Sequence, residues 1–535
     1  MIDKKSKKEE RKVRVRLAPS PTGFLHIGTA RVALFNFLFA RQNRGSFILR
    51  IEDTDKERSK PHFEEDIIKG LNWLGIEWDE GPSFKKGEDY KGNHGPYRQS
   101  ERKDIYKKYI KKLIEEDRAY YCFCSKEELE KHKEYMMSIG RAPSYSGKCR
   151  NLSQKEVEEN LAKGKSYIIR FKTPSKKVVF KDLIRGKVEF DSKDFGDFSI
   201  AKGEDNPLYN LAVVIDDFEM KISHVIRGED HISNTPKQIL LQEALGISSV
   251  DYAHLPLILG PDKSKLSKRH GAVSINEYKK EGYLPEAIVN IMALLGWNPG
   301  TDREIFSIPS LIKEFSLERC QKGGAILNKK RLEWINGFYI RKSSLERITN
   351  LAISYLIESG LIEEIENNYG NLSIPEKSDA PKELKLFKEK KRKFRIIETK
   401  ELVDTSWIEK TISLYQERLK RISEVEELVD FLFKENLNYS PDLLVWKKAS
   451  KEETVKAIES LEGILKKINF DNFKKEFIQE EVMKEAERIG DRGTILWPFR
   501  VALSGKKASA GPFEIAEVLG KEKSLKRLKK AKEII

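Results

Sequence analysis

The chain has 535 residues, too many for one hydrophobic core, so we expect about three to five domains. Charged residues make up 35% of the sequence, and the formal net charge of +15 suits a polyanionic partner such as nucleic acid. The 4 cysteines do not form the pattern of a secreted disulfide framework, and no apolar run is long enough to span a bilayer. Residues 1–12 are a basic tail without the apolar segment of a secretion signal. We therefore expect a soluble cytoplasmic protein that binds no membrane.

Residues 13–119 alternate between strand and helix patterns. The strand pattern at 13–17 leads through a turn into a helical pattern at 31–42, and an apolar strand pattern ending in acids follows at 47–55. Such alternation favours a parallel sheet with right-handed crossovers. Ligands of such sheets bind beyond the carboxyl ends of the strands.

The first turn, APSPTGFLHIGTAR (18–31), has the features of a phosphate site. Gly23 and Gly28 would let backbone approach a ligand closely, and the helix that follows points free N–H groups at the turn. His26 and Thr29 add side-chain donors. The alternative interpretation is an ordinary connection with a structural histidine.

The same string resembles the HIGH signature of class I aminoacyl-tRNA synthetases, in the form used by glutamyl- and glutaminyl-tRNA synthetases. Thr29 replaces the second histidine of that signature. A second string, KLSKR (265–269), resembles the KMSKS loop of the same class, with leucine in place of methionine. The resemblance implies a Rossmann-type nucleotide-binding catalytic domain that binds ATP with Mg²⁺. It implies catalytic roles for His26, Thr29, Lys265 and Lys268, and ATP contacts from Gly23, His26, Gly28, Lys265, Ser267, Lys268 and Arg269.

Beyond residue 119 the pattern changes several times. Residues 120–205 lack a clean period at first and then show short strand patterns, which indicates a mixed α/β insertion. Segments 207–217, 224–231 and 255–260 are typical of buried strands ending in polar residues, so the second half of the catalytic domain is placed at 206–274. Residues 275–345 are mostly helical, strand signals vanish in 346–535, and 375–395 is a charged, solvated connector. The resemblance implies that 120–205 binds the tRNA acceptor end, that 275–345 contacts the stem, and that the all-α region 346–535 binds the anticodon.

Two arginines in strand patterns point to an acidic substrate. Arg16 precedes the first turn and Arg227 ends another strand, and a buried unpaired charge is costly. Two guanidinium forks aimed at one small ligand suit a carboxylate side chain. Glu52 could then take an α-ammonium group, and Tyr209 could bound the pocket.

The alternative is that the arginines pair internally. The candidate partners are Asp53, Asp55 and Glu229, and for Arg14 we prefer this interpretation.

The segments RLAPS, RIEDTD, PLYN and VIRGED look like the glutamate-binding segments of bacterial-type glutamyl-tRNA synthetases. On the matching positions, glutamate would contact Arg16, Ser20, Glu52, Tyr209 and Arg227. The resemblance extends from Val13 to the end of the chain. It implies activation of L-glutamate by ATP and transfer to the 3′ end of tRNA(Glu), by a monomer. The alternatives are an enzyme that also charges tRNA(Gln), a tRNA-modifying glutamyl-queuosine enzyme, and an inactive tRNA-binding module.

Three cysteines and a tyrosine have the spacing of a zinc site. Cys122, Cys124 and Cys149 would supply three thiolates to a closed, structural Zn²⁺ site. Some relatives have a histidine two residues after the last cysteine, where this chain has Asn151. Tyr145, at the spacing of the glutamyl-queuosine enzymes, is therefore our fourth ligand, with His132 as the substitute. The alternative is a set of free thiols.

One anticodon-reading residue is suggested by a loose match. Arg418 in the helical C-terminal region is a candidate base reader, and the alternative is a solvated helix arginine.

Overall fold

The structure, a computed structural model, describes residues 12–83, 88–141, 143–271, 274–365, 392–447 and 449–535, without the side chain of Lys268. The chain divides into two compact units, Met1–Lys279 with Pro285–Ile335, and Lys280–Leu284 with Asn336–Ile535. The predicted tail 1–12, except for its last residue, and most of the predicted connector 375–395 lie outside the described residues. Among the helices described, none is both long and apolar enough to cross a membrane.

The first unit contains both strands and helices. Its strands are β1 (Arg14–Leu17), β2 (Ser46–Leu49), β3 (Gly81–Pro82), β4 (Tyr90–Lys91), β5 (Ala119–Cys122), β6 (Ile168–Phe171), β7 (Lys177–Asp182), β8 (Gly186–Asp191), β9 (Ser199–Ala201), β10 (His224–Gly228), β11 (Asp251–Leu255), β12 (Ile258–Leu259) and β13 (Ala325–Ile326). Its helices are α1 (Ile27–Gln42), α2 (Pro61–Trp73), α3 (Lys103–Glu115), α4 (Lys126–Ser138), α5 (Gln154–Ala162), α6 (Tyr209–Glu219), α7 (Thr235–Leu245), α8 (Ile275–Lys280), α9 (Pro285–Leu294), α10 (Ile308–Glu314) and the first half of α11 (Lys329–Lys342).

The predicted parallel sheet is present at the centre of this unit. β1 pairs with β2 in parallel, and β10 pairs with β11 in parallel. The two pairs are adjacent, because the backbone N–H of Ser223 donates to the carbonyl of Arg14 at 2.9 Å. α1 packs against β1, β2, β10, α9 and α10. Because neighbours cover most of its faces, apolar residues occur around most of the helix. The carboxyl ends of β1 and β10 therefore open onto one region of the unit.

The insertion contributes to the same sheet. β5, β6 and β9 form a separate antiparallel sheet, but the β7–β8 hairpin continues the order β10-β11-β7-β8. Asp182, the last residue of β7, lies opposite Tyr252 of β11 in a parallel pairing. The hairpin predicted within the insertion thus supports the central sheet, and the division into six segments drawn from the sequence stays a prediction.

One strand prediction in the second half of the catalytic domain is wrong, and another is confirmed only in part. Most of segment 207–217 lies in α6, which begins at Tyr209. Within 255–260, Leu255 ends β11 and Ile258–Leu259 form β12. In α6 every residue from Leu211 to Asp217 is buried. A helix buried on all sides has the continuous apolar run of a buried strand, so its periodicity does not separate the two.

The second unit is helical, as expected. Its further elements are β14 (Ile362–Glu364), β15 (Lys393–Ile396), β16 (Leu402–Asp404), α12 (Leu345–Glu358), α13 (Thr405–Ser413), α14 (Val425–Val429), α15 (Lys451–Lys467), α16 (Lys475–Ile489), α17 (Arg492–Ser504), α18 (Pro512–Leu519) and α19 (Lys521–Ile534). α15 shows the local rules: Ser450 and Glu453 form a capping box, and Ala457, Leu461 and Leu465 recur on its buried face.

A small antiparallel sheet in this unit was not expected. β14, β15 and β16 pair in that order, and β15 takes in the last residues of the predicted charged connector. Strands of three or four residues are too short to show an alternating pattern. The absence of strand signals beyond residue 345 therefore did not exclude them.

Candidate active site

His26 closes the first turn of α1. Its Nδ1 accepts hydrogen bonds from the backbone N–H groups of Gly28 at 3.1 Å and Thr29 at 3.3 Å. The proton of the neutral ring then lies on Nε2, which is 3.0 Å from Oγ1 of Thr29. Protein atoms around the ring exclude water that would solvate the charged form, and this desolvation lowers the pKa of His26, as does the positive charge of Lys265. The turn thus carries a neutral imidazole donor at a helix N-terminus.

The two glycines of this turn differ in what surrounds them. A Cβ on Gly28 would lie 3.0 Å from the ring of His26, so a larger residue would disturb the cap. A Cβ on Gly23 would meet no atom within 4 Å. Packing within the protein therefore explains Gly28 but leaves the space at Gly23 free for a ligand.

The KLSKR loop folds back toward this turn. The N–H of Ile275 donates to the carbonyl of Leu25 at 2.8 Å, and Ser274 pairs with His26. Lys265 has its Nζ 3.9 Å from Asp230 and is exposed, close enough to His26 to lower the pKa of that ring. The structure thus brings the two sequence motifs together.

Asp262 orders the tip of the loop. It accepts from the backbone and hydroxyl of Ser264 at 3.0 and 2.7 Å, and it contacts Arg269 at 3.2 Å and His270 at 3.1 Å. These donors hold the pKa of Asp262 well below its usual value. Ser267 donates its N–H to His270 at 3.1 Å. The predicted ATP residues Ser267 and Arg269 therefore lie in an ordered loop, and Lys268 has no described side chain.

Arg16 and Glu52 are held by one buried ionic network. Arg16 donates from Nε to Asp217 at 3.1 Å, and Arg50 donates from Nη1 to the same carboxylate at 2.7 Å. Nη2 of Arg50 donates to Glu52 at 3.1 Å. Burial would raise the pKa of Asp217, but Arg16 and Arg50 outweigh burial and lower it. Burial raises the pKa of Glu52, and the two arginines only partly oppose this.

Arg227 is held by a different set of partners. Its Nε donates to Nε2 of His254 at 3.2 Å, and its Nη2 donates to Oγ1 of Thr235 at 2.8 Å. The third nitrogen, Nη1, is buried and has no hydrogen-bond partner among the described residues. A buried guanidinium nitrogen without a partner is costly, and Nη1 of Arg227 can therefore take one further acceptor, such as a ligand oxygen.

Tyr209 lies between these two groups. Its hydroxyl is 3.0 Å from Nδ1 of His231. Burial raises the pKa of Tyr209, and the charges of Arg227, Glu52 and Arg16 act on it from either side. Four of the five residues predicted to contact glutamate thus converge, and Ser20, the fifth, is exposed beside them in the first turn.

The cysteine cluster is also assembled. Cys124 and Cys149 have their sulfurs 3.6 Å apart, and the Tyr145 hydroxyl lies 3.3 Å from Cys122 and 3.4 Å from Cys124. Zinc–sulfur bonds of about 2.3 Å place tetrahedral thiolates roughly 3.8 Å apart, close to this spacing. The guanidinium of Arg170 covers the ring of Tyr145 at 3.9 Å. His132, the substitute ligand, is not part of the cluster that the structure describes.

Comparison with protein families decides the assignment. The family described as tRNA synthetases class I (E and Q), catalytic domain, matches residues 12–334, and an anticodon binding domain matches residues 384–532. The chain belongs to the class I tRNA synthetases.

Individual relatives agree with this assignment over nearly the full length. The chain is 44% identical to glutamate–tRNA ligase 1 of Caldanaerobacter subterraneus over 97% of both chains. It is 43% identical to the glutamate–tRNA ligase of Carboxydothermus hydrogenoformans over 96% of this chain and 99% of that one. The solved glutamate tRNA ligase of Elizabethkingia meningosepticum, in complex with its amino acid, has a TM-score of 0.80, with 34% identity over 98% of this chain and 99% of that one.

Two predictions about this synthetase need comment. Arg14 pairs internally, as preferred, but its acid is Glu80 at 2.7 Å. The three acids named as partners are wrong, since Asp53, Asp55 and Glu229 bond Ser100, Arg58 and Arg185. Arg418 is exposed, and its Nη1 donates to the carbonyl of Ser509 at 3.0 Å. Its role in reading the anticodon stays a prediction.

Three residues around the synthetase site were missed from the sequence. Arg50 lies in the apolar run FILRI and is fully buried. It bonds Glu52 directly, and it shares the carboxylate of Asp217 with Arg16. Asp182 and His254 lie on β7 and β11 and support Arg227. A charged or imidazole residue inside an apolar strand is a signal for such a role, but the partner is visible only in three dimensions.

Proposed function

We infer that this chain is a glutamate–tRNA ligase that activates L-glutamate with ATP and transfers it to the 3′ end of tRNA. The observation that carries the inference is the buried, unpartnered Nη1 of Arg227, beside Tyr209 and the network that holds Arg16 and Glu52. This arrangement suits a ligand with one carboxylate more than an ordinary amino acid. The full-length relatives named glutamate–tRNA ligases support the same reaction.

The chemistry needs no protein nucleophile. A glutamate carboxylate oxygen attacks the α-phosphate of ATP, forming the acyl-adenylate as pyrophosphate leaves. A ribose hydroxyl of the tRNA then attacks the acyl carbon, and AMP leaves. Positioning and preorganised positive charge supply the catalysis, as in phosphoryl transfer generally. Mg²⁺ would accompany ATP and would neutralise charge on its phosphates.

The triphosphate is proposed to lie between the first turn and the loop. The start of α1 borders that space, with Nε2–H of His26 beside Oγ1 of Thr29. The N–H groups of Gly28 and Thr29 already donate to Nδ1 of His26, so the imidazole would meet the phosphates in place of these two amides. Lys265 is exposed with only a weak contact to Asp230, so it is available to stabilise the leaving pyrophosphate. Lys268, Ser267 and Arg269 belong to the same proposed site, as do Gly23 and Gly28.

Glutamate is proposed to bind with its side-chain carboxylate on Arg227 and Arg16. Arg16 uses Nε and Nη2 for Asp217, so Nη1 is the nitrogen that a ligand would meet. Glu52 has one oxygen on Arg50 and would receive the α-ammonium group. Ser20 and Tyr209 would complete the contacts.

We propose structural Zn²⁺ at the cysteine cluster. Three soft sulfur donors and one phenol oxygen at tetrahedral spacing fit this ion, and Cys122, Cys124, Tyr145 and Cys149 would hold it. The ion would tie the end of β5 to residue 149 and supply no chemistry to the reaction.

The macromolecular partner is proposed to be tRNA(Glu), with Arg418 as an anticodon contact. A monomeric state and a cytoplasmic location belong to the same proposal, and the alternative is an enzyme that also charges tRNA(Gln) with glutamate. The relatives are named for glutamate alone, and the basic net charge of +15 suits tRNA.

Two assays test the proposed function. Purified enzyme should catalyse ATP–pyrophosphate exchange when glutamate and tRNA are present. It should also charge tRNA(Glu) with glutamate, but not with aspartate or glutamine. Absence of exchange would favour the inactive tRNA-binding module. Glutamate on both purified tRNA(Glu) and tRNA(Gln) would establish the non-discriminating enzyme.

A further inference from the structure

We propose that Asp182 and His254 position the guanidinium of Arg227 for the substrate carboxylate. The inference rests on the proposed role of Arg227 in glutamate binding. Neither residue touches the proposed ligand, so both are positioning residues that act through Arg227.

The three residues form a buried relay. Nδ1 of His254 lies 2.6 Å from Oδ2 of Asp182, and Nε2 of His254 accepts from Nε of Arg227 at 3.2 Å. His254 and Asp182 are 0% and 1% exposed, and Arg227 is 5% exposed. Asp182 also accepts the backbone N–H groups of Ile184 and Arg185, at 2.9 and 2.8 Å, so its carboxylate is fixed at the end of β7.

The direction of each hydrogen bond is fixed by chemistry. Arg227 can only donate, so Nε2 of His254 must be an acceptor and its proton must be on Nδ1. The carboxylate of Asp182 is the acceptor that holds the proton there. Thr235 closes the arrangement, because it receives Nη2 of Arg227 at 2.8 Å and lies 3.1 Å from Nε2 of His254. Burial and the charge of Arg227 lower the pKa of His254, which keeps the ring neutral.

The consequence is a guanidinium with two nitrogens occupied and one free. Nε and Nη2 are held by His254 and Thr235, and Nη1 is the buried nitrogen without a partner among the described residues. A fixed fork loses little freedom when it binds a carboxylate, so glutamate affinity should depend on the relay.

Two substitutions of His254 separate its two hydrogen bonds. The carboxamide of His254→Gln reaches the position of Nε2 and can accept from Arg227, whereas that of His254→Asn reaches the position of Nδ1 and can only meet Asp182. The Gln variant should keep the KM for glutamate within about threefold of wild type, while the Asn variant should raise it on the order of ten- to a hundredfold, as for a lost hydrogen bond to a charged group. The KM for ATP should stay constant in both. Equal glutamate KM values for the two variants would overturn the proposal.

Asp182→Asn tests the polarity of the relay from the other end. Its amide oxygen can keep the bonds from the backbone N–H groups of Ile184 and Arg185, and its NH₂ then faces Nδ1 of His254. The backbone N–H of His254 also loses its acceptor Oδ2, at 3.1 Å. The ring then moves its proton to Nε2, where it faces the Nε donor of Arg227. The KM for glutamate should rise as in His254→Asn, with the same constant KM for ATP, and a wild-type glutamate KM would contradict the relay.

A matched control lies at the beginning of β10 and β11, the strands that carry Arg227 and His254. His224 and Asp251 form a partly exposed pair at 3.7 Å, so His224→Asn and Asp251→Asn should leave the KM for glutamate unchanged. Should the buried variants fail to fold, histidine ¹⁵N shifts of the wild-type enzyme still decide: the protonated nitrogen of His254 must be Nδ1, and an Nε2–H tautomer refutes the relay. A wild-type enzyme that charges no glutamate would instead refute the proposed function.

Discussion

Arg16 and Asp217 form a buried ion pair, with Nε 3.1 Å from Oδ1, between residues 201 positions apart in the sequence. Arg16 is 4% exposed and Asp217 is 3% exposed. The pair joins the end of β1 to α6, and Arg50 extends it to Glu52. One carboxylate therefore orients two residues that are proposed to bind glutamate.

Asp217→Asn should destabilise the first unit and weaken glutamate binding together. Removal of this charge leaves Arg16 and Arg50 buried without their main counter-ion, which costs about 3 kcal/mol or more. Urea unfolding would measure the loss, and steady-state kinetics should show a higher KM for glutamate. The exposed Asp251→Asn is the control for removal of an acid, and a stability of Asp217→Asn equal to that of the control would contradict the prediction.

Substitutions of His26 should separate helix capping from catalysis. His26→Ala removes both the N-cap and the Nε2–H donor, whereas His26→Ser restores a cap. The Ala variant should lose about 1 kcal/mol of stability and the Ser variant much less. Both should lose kcat in pyrophosphate exchange. If His26→Ser keeps wild-type kcat, the ring serves only the helix.

The stability of the first unit should fall as the pH drops below neutrality. Burial and the charge of Arg227 lower the pKa of His231 to about 4, against 6.5 when unfolded. Between these values the unfolded chain binds the extra proton, so stability is complete above pH 6.5 and is lost as pH falls toward 4. Thermal midpoints from pH 7.5 to 5 should fall less for His231→Gln than for wild type. Parallel curves would show that His231 does not contribute.

The zinc proposal predicts about one equivalent of metal per chain. Cys149→Ser and Tyr145→Phe should each lower the metal content after dialysis, and Tyr145→Phe should do so less, since three thiolates remain. A chelator should lower the melting temperature of the wild-type protein and leave that of Cys149→Ser nearly unchanged. Zinc well below one equivalent in fresh protein would leave free thiols as the better account.

Arg418→Ala should raise the KM for tRNA without changing the KM for glutamate or ATP. Arg418 is exposed on the second unit and retains free donors besides the one given to Ser509. Lys410→Ala, an exposed cation on α13, is the control for a general loss of positive charge. A loss of stability with an unchanged tRNA KM would make Arg418 a structural residue.

The parts of this structure that follow local rules were predictable. The strand, turn and helix around His26 follow from proline, glycine and the apolar pattern of residues 13–42. Arg16 and Arg227 attracted notice because a charge in an apolar strand needs a partner. The capping box at Ser450 is likewise a local signal.

The remaining parts depend on tertiary context. α6 is buried on all sides, so its sequence did not distinguish a helix from a strand. Glu80 as partner of Arg14, and Asp182 as partner of His254, are choices among many acids that only the fold makes. The sheet of β14, β15 and β16 is built from strands too short to carry a pattern.

The place of β7 in the central sheet bears on how such an enzyme can be engineered. A segment that looks like a removable cassette supplies a strand beside β11 and the carboxylate beneath His254. Transplanting residues 120–205 from a distant relative would therefore also exchange Asp182, the residue that bonds His254 beneath the proposed glutamate contact Arg227. Chimeras cut at those boundaries should be judged first by their glutamate affinity, because the hydrogen-bonded chain from Asp182 through His254 to Arg227 crosses the boundary of the exchanged segment.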